Sequence, residues 1–188
     1  FSRAMSPIGN ARIHLGSLTK VLLVLLTIAI SRVTVANATA VTRTSQTIGT
    51  ETITLVPGTD TSLSILDCTY TGTLTITSGA PLVGFPIIIN RTTFTQLRFT
   101  IPSVTASSSV YVGHSTITPH LTTSMGLHES ELTLDTLTIA NSIYFNNGAK
   151  PESNSVVTIL DTTVNYGVYA DSFAMSSSTL DIRRSTFK

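Results

Sequence analysis

"SILDCTYT" at residues 64–71 returns as "TILDTTVN" at residues 158–165, 94 positions downstream. An echo over that distance calls for a search for an internal period before any motif. The pattern apolar, any, apolar, four residues, apolar fits Leu63/Ile65/Tyr70, Ile87/Ile89/Phe94 and Val110/Val112/Ile117. It continues through Leu132/Leu134/Ile139, Val157/Ile159/Val164 and Leu180/Ile182/Phe187. The start-to-start spacings are 24, 23, 22, 25 and 23, so the echo spans four turns of a period near 23.5. Six matches in steady phase are a repeat.

Apolar residues at alternate positions face one side of a strand. A second apolar pair follows about ten residues into most repeats: Leu74/Ile76, Leu97/Phe99, Ile143/Phe145 and Tyr166/Val168, with Leu121/Thr123 a weaker copy. Between repeats lie the turn-rich stretches "SGAPLVGFP", "IPSVTASSS", "SMGLHES", "NNGAKPESNS" and "ADSFAMSSS". Gly, Pro, Ser and Asn punctuate strands in this way. Three short strands joined by corners then make one coil, and each coil stacks on the last in parallel register, roughly 4.8 Å higher. One coil cannot bury its own apolar face, so its stability comes from its neighbours.

The expected fold is all-β: a parallel β-helix of about six coils of 22–25 residues over 51–188. It is expected to be right-handed, because parallel crossovers almost always are. A leucine-rich repeat would need an Asn or Cys ladder and a convex helix, and the Thr, Val and Gly content opposes helix. Charged residues are 11% of the chain and hydrophobic ones 41%. That balance opposes disorder.

The N-terminus reads differently. Residues 1–4 precede Met5 and are expected to be an upstream artefact. A basic stretch with Arg12 and Lys20, the apolar run "VLLVLLTIAI" (21–30) and the small-residue text "VANATA" (35–40) follow. These are the three parts of a secretory signal peptide, here 5–38 and helical, with cleavage after Ala36, Ala38 or Ala40. The alternative, a membrane anchor, needs roughly 18 or more apolar residues, and this run meets Ser31 and Arg32 first. Residues 39–50 read as a linker.

Cleavage would remove four of the eleven basic residues and none of the ten acidic ones, leaving seven against ten and a net charge of −3. No basic patch for nucleic acid is expected. The single cysteine, Cys68, is expected as a buried small residue, with a reactive or intermolecular thiol as the alternative.

One column is threonine in every repeat: Thr69, Thr93, Thr116, Thr138, Thr163 and Thr186. Stacked, these form an outward ladder, each cross-strand Thr pair contributing about 0.2–1 kcal/mol. The same ladder is a candidate binding face. Thr71, Thr95 and Thr118 add a second row, so paired hydroxyls resemble the ice-binding face of β-helical antifreeze proteins. Ala140, Asn165 and Lys188 break that row later. Another column sets Asp67 one coil before Arg91 and Asp161 one coil before Arg184, which reads as a register device on a solvated turn.

Catalytic chemistry finds little footing. Asp60, Asp67, Asp135, Asp161, Asp171 and Asp181 are spread along the coils, whereas glycosidic hydrolysis needs carboxyl pairs about 5–9.5 Å apart. His114, His120 and His128 match no zinc spacing. No nucleophile elbow, phosphate loop or dinucleotide fingerprint is present. The reading is non-enzymatic, with no cofactor and no metal. Two N-glycosylation sequons occur, at Asn37 and Asn90, the latter expected in an exposed turn.

The units "SSSVYVGHSTIT" (107–118), "NSVVTILDTTV" (154–164) and "SSSTLDIRRSTF" (176–187) resemble repeats of the dispersed-gene-family surface proteins of trypanosomatids and related kinetoplastid membrane-associated proteins. The resemblance covers roughly residues 50–188 and is shared with bacterial pectin-lyase-like adhesins. It implies a large glycosylated surface protein with a β-helical ectodomain, an adhesive role and membrane spans far downstream. This chain departs from it by being short and by carrying no downstream span. Its last coil stops at Phe187-Lys188 without a polar cap, so truncation is expected, with self-association through the open end.

Three function classes follow. A secreted or cell-surface structural and adhesion module leads, with glycans or host and cell-surface proteins as partners. A carbohydrate-binding or pectin-lyase-like β-helix is second, and ice binding third.

Overall fold

The computed structural model describes residues 38–146, 150–170 and 175–188. The signal-peptide reading, with its helix and Asn37, lies outside the described residues. Where the sequence alternates, the chain forms strands, and it does so in seven successive coils. The first holds β1 (Thr39–Thr44), β2 (Thr47–Ile48) and β3 (Glu51–Leu55). The second holds β4 (Asp60–Leu66), β5 (Thr69–Ser78) and β6 (Leu82–Val83); the third β7 (Pro86–Asn90), β8 (Thr93–Thr100) and β9 (Ser103–Thr105). The fourth runs through β10 (Ser109–Gly113), β11 (Thr116–Ile117), β12 (Leu121–Thr123) and β13 (Gly126–His128). The fifth has β14 (Glu131–Asp135), β15 (Thr138–Ile139), β16 (Ser142–Phe145) and β17 (Pro151–Glu152). The sixth has β18 (Val156–Leu160), β19 (Thr163–Val164) and β20 (Gly167–Ala170), and the seventh β21 (Thr179–Arg183) and β22 (Thr186–Phe187).

All pairing between strands is parallel and joins one coil to the next. Sheet A stacks β1, β4, β7, β10, β14, β18 and β21. Sheet B has eleven strands and sheet C four, in the order β17-β13-β9-β6. The first and seventh of these coils have no strand in sheet C, and the described residues together form a β-solenoid of about six turns. The six repeats superpose as expected: Leu63, Ile87, Val110, Leu132, Val157 and Leu180 are register partners in turn.

Inward side chains fill an apolar interior. From Leu63 to Val164 every residue of the three leading columns is at most 3% exposed. Cys68 is buried, as its small apolar character predicts.

Three expectations are corrected. The stretch 39–50 is no linker: it forms β1 and β2, which pair with β4 and β5. The apolar pattern fails there because Arg43 stands in register with Ile65 and Glu51 with Leu74. At this end of the interior a charged pair replaces two apolar side chains. Arg43 Nε and Nη2 donate to Glu51 Oε1 at 3.0 and 2.7 Å, and the Tyr70 hydroxyl donates to Glu51 Oε2 at 2.9 Å. The hydrogen bond to Glu51 raises Arg43 above its ordinary pKa. Burial, reinforced by Glu51, raises Tyr70.

The second correction concerns the turn-rich stretches, four of which contain the strands of sheet C. Their strands stack one buried residue per coil, Leu82, Val104, Leu127 and Pro151 being register partners, and Phe85, Ile101 and Met125 of the same stretches are buried as well. In the third, the inward pair of the sixth coil is Val168/Ala170, not Tyr166/Val168. Ile143 pairs with Val168 and Phe145 with Ala170. Tyr166 falls one coil beyond the corner residue Asn141, whose carbonyl accepts its N–H at 3.0 Å, and faces solvent.

Corners follow a rule that repeats coil by coil. Between sheets A and B, Ser45, Asp67, Arg91, His114, Thr136, Asp161 and Arg184 all adopt φ between 46° and 55°. A non-glycine residue pays for this left-handed geometry. The compensation is an inter-coil bond: the N–H of each of the first six donates to a carbonyl of the next coil at 2.9–3.1 Å.

From the second coil to the sixth the next residue at this corner is buried, and Thr92, Ser115 and Thr162 carry a hydroxyl there. Ser115 Oγ accepts the Thr92 N–H at 3.0 Å and donates to the Gly113 carbonyl at 2.6 Å. Thr92 and Thr162 Oγ1 accept the N–H of Cys68 and Leu137 at 3.4 and 3.3 Å. Ser108 and Ser155 repeat the arrangement at the corner between sheets C and A. Ser115→Ala is therefore expected to strand a buried N–H and lower stability by about 1–3 kcal/mol. Urea unfolding reads the loss, and faster exchange of the Thr92 amide locates it. An unchanged midpoint would show that these hydroxyls are dispensable.

Candidate functional site

The Thr ladder forms as one column. Thr69, Thr93, Thr116, Thr138, Thr163 and Thr186 are successive register partners, and Thr47 adds a rung before them. All face outward from sheet B, Thr163 half-buried and the rest exposed. The second row is partly used internally: Thr71 and Thr95 Oγ1 donate to the carbonyls of Ile48 and Tyr70 at 3.3 and 3.4 Å.

Of the acidic candidates, Asp171 lies outside the described residues. Each of the others is engaged in a local bond. Asp67 and Asp161 take paired hydrogen bonds of 2.6–2.7 Å from Arg91 and Arg184. Those bonds hold both carboxyls below the usual carboxylate range. Asp60 accepts the Val56 N–H, Asp135 accepts the hydroxyls of Tyr111 and Thr136, and Asp181 binds Arg183. The Tyr111 ring lies over Gly113, where a side chain would collide with it.

The histidines are dispersed. His114 is a corner residue, His128 Nδ1 lies 3.5 Å from Glu152, and His120 meets Tyr144 edge-on at 5.2 Å. No group of three or more His, Cys, Asp or Glu side chains suited to a metal ion occurs among the described residues.

Asn90 is not in an exposed turn. It ends β7 and is half-buried, and its Oδ1 is buried without a hydrogen-bond partner. The extended strand continues one residue further than the sequon suggested, and Thr92 of the sequon is 1% exposed because it serves the corner ladder.

Charge is distributed unevenly over the surface. The strands β11, β12, β15, β16, β19 and β20 of sheet B contain no Asp, Glu, Lys or Arg. Sheet A, by contrast, carries Glu131, Asp135, Asp181 and Arg183 on β14 and β21. A shallow groove of about 270 Å³ at the corner between sheets C and A is lined by Ser107, Ser109, Glu129, Glu131 and Asn154, among others.

The uncharged face has one feature that residue-by-residue reading did not find. Tyr144 and Tyr169 are register partners whose rings stack at 5.2 Å and 16°. Tyr169 is 51% exposed and Tyr166, one coil beyond Asn141, is 67% exposed. The available signal was three tyrosines between 144 and 169 in a chain holding five. No helix among the described residues is long and apolar enough to cross a membrane. Comparison of the chain with known protein families, with curated proteins and with solved structures returns no match.

Proposed function

We propose that the solenoid is a secreted or cell-surface structural module that mediates adhesion. One observation supports this above the others: a continuous apolar interior underlies an outer face of sheet B whose strands are uncharged across three coils and set with an unbroken threonine column. A rigid scaffold presenting a repetitive polar surface suits recognition of an extended partner better than conversion of a small substrate. The apolar run at 21–30 supports export, and the repeat units resemble those of surface adhesins. Glycans and cell-surface proteins are the proposed partners.

A second, carbohydrate-directed reading is favoured by the exposed tyrosines beside this face. Expression of the full chain in a secreting eukaryotic host tests the main proposal. Recovery in the medium, and retention of protein-coated beads on cells at several times the level of albumin-coated beads, are expected. Retention no greater than the albumin control would remove the adhesion reading.

A further inference from the structure

We infer that Arg98, with Gln96, Thr75 and Thr100, forms a binding site on the outer face of sheet B for an oligosaccharide that bears an isolated carboxylate. This rests on the adhesion reading and names a ligand chemistry for that face.

The site lies in the third coil, with further coils on both sides of it. Arg98 is exposed on β8; Thr75 precedes it by one coil and Thr122 follows it by one. Gln96 and Thr100 stand two residues to either side on the same strand and share its face. Five arginines are described, and four of them are held by a carboxylate: Arg43 by Glu51, Arg91 by Asp67, Arg183 by Asp181 and Arg184 by Asp161. Arg98 is the fifth. Among the described residues no carboxylate pairs with it, and the neighbouring strands β5, β11 and β12 contain no Asp, Glu, Lys or Arg. Outside the described residues the sequence holds a single acidic residue, Asp171, which follows β20. The guanidinium therefore keeps its donors for an external anion.

Its neighbours suit the same ligand. The Thr73 hydroxyl donates to Gln96 Oε1 at 3.2 Å, which fixes that amide by its oxygen and keeps its N–H groups for another acceptor. Thr75 and Thr100 add hydroxyls, which both donate and accept.

The chemistry selects the ligand. A guanidinium presents its donors in a planar fork that matches the two oxygens of a carboxylate. One such group meets one anion. Nucleic acid, like any densely charged chain, gains its affinity from many contacts at once, which a lone cation does not supply. An anionic bilayer is held by clusters of basic residues or by inserted apolar groups, and neither β5 nor β8 exposes a large apolar side chain. The same absence removes the apolar anchors around which protein interfaces centre. A ligand with one carboxylate and many hydroxyls answers all of these features.

The test is an array of oligosaccharides bearing glucuronic or sialic acid, each printed beside its methyl ester, with neutral and densely sulfated chains alongside, probed with the full chain. The acids should bind about tenfold or more tightly than their esters. Arg98→Gln should weaken that binding about tenfold or more, and Arg98→Lys, which keeps the charge without the fork, should lose severalfold. Arg91→Gln, which removes an equal charge at a paired corner, should stay within about threefold. Arg98 is exposed, and an unchanged thermal midpoint checks the fold of its variants. Equal binding of acid and ester, preference for the sulfated chains, or binding that Arg98→Gln leaves intact overturns the site. Bead adhesion measured in parallel separates the two readings. Wild-type beads that stay on cells while the array shows no carboxylate-dependent binding sink the site and keep the module; wild-type beads retained no better than albumin-coated ones remove the module itself.

Discussion

Phe94→Ala will lower the unfolding free energy by about 3–5 kcal/mol, the largest single loss expected in this chain. Phe94 is 1% exposed and its ring stacks on Tyr70 at 5.4 Å and 16°. The loss combines transfer of the ring, the cavity left between coils, and about 0.5–1.5 kcal/mol from the stacked pair. Each coil is stabilised by its neighbours, so the second and third coils both lose a contact. Denaturant unfolding followed by circular dichroism gives the number. The neighbouring Thr93→Ala, on the outward ladder, is the control and should cost no more than about 1 kcal/mol. If the two variants proved equally damaging, the assignment of inner and outer faces would be reversed.

The second large effect belongs to the charged closure of the first coil. Glu51→Leu leaves the Arg43 guanidinium and the Tyr70 hydroxyl without their acceptor. Breaking a fully buried pair costs about 3–5 kcal/mol. The Arg43 and Glu51 side chains are 33% and 19% exposed, and solvent screening reduces the expectation to about 1–3 kcal/mol. Arg43→Leu combined with Glu51→Leu should recover most of that loss, because leucines continue the apolar columns above them. Denaturant unfolding of the single and double variants reads this directly. A double variant that is as unstable as Glu51→Leu contradicts the pairing.

That closure also explains the limits of what the residues disclosed. The stacked repeats were legible because each coil places three inward apolar residues at fixed offsets, from Leu63/Ile65/Tyr70 to Val157/Ile159/Val164. The first coil was not, since a hydrophobic pattern cannot register Arg43 and Glu51 as interior residues. Sheet C was hidden for a different reason. It offers one apolar residue per coil among turn formers, although Leu82, Val104, Leu127 and Pro151 recur at 22–24 residues.

The Thr column was evident, while the buried hydroxyls of Thr92, Ser115 and Thr162 looked like any other Ser or Thr. Their role depends on a backbone N–H belonging to the preceding coil. The tyrosine pair was missed because alternation assigned Tyr166 inward, and the shift at Asn141 that turns it outward is a property of the corner.

The direction of the hydrogen bonds has a mechanical consequence. In every sheet they run from coil to coil, along the stacking direction. Tension applied along that direction meets the coils in series, so rungs separate in succession at modest force, each freeing a ribbon of about 23 residues, on the order of 75–80 Å when extended. A sideways load is shared by the rungs together and resisted in parallel. Under the adhesive role proposed above, such anisotropy would let the molecule lengthen stepwise under pull while its flanks stay stiff.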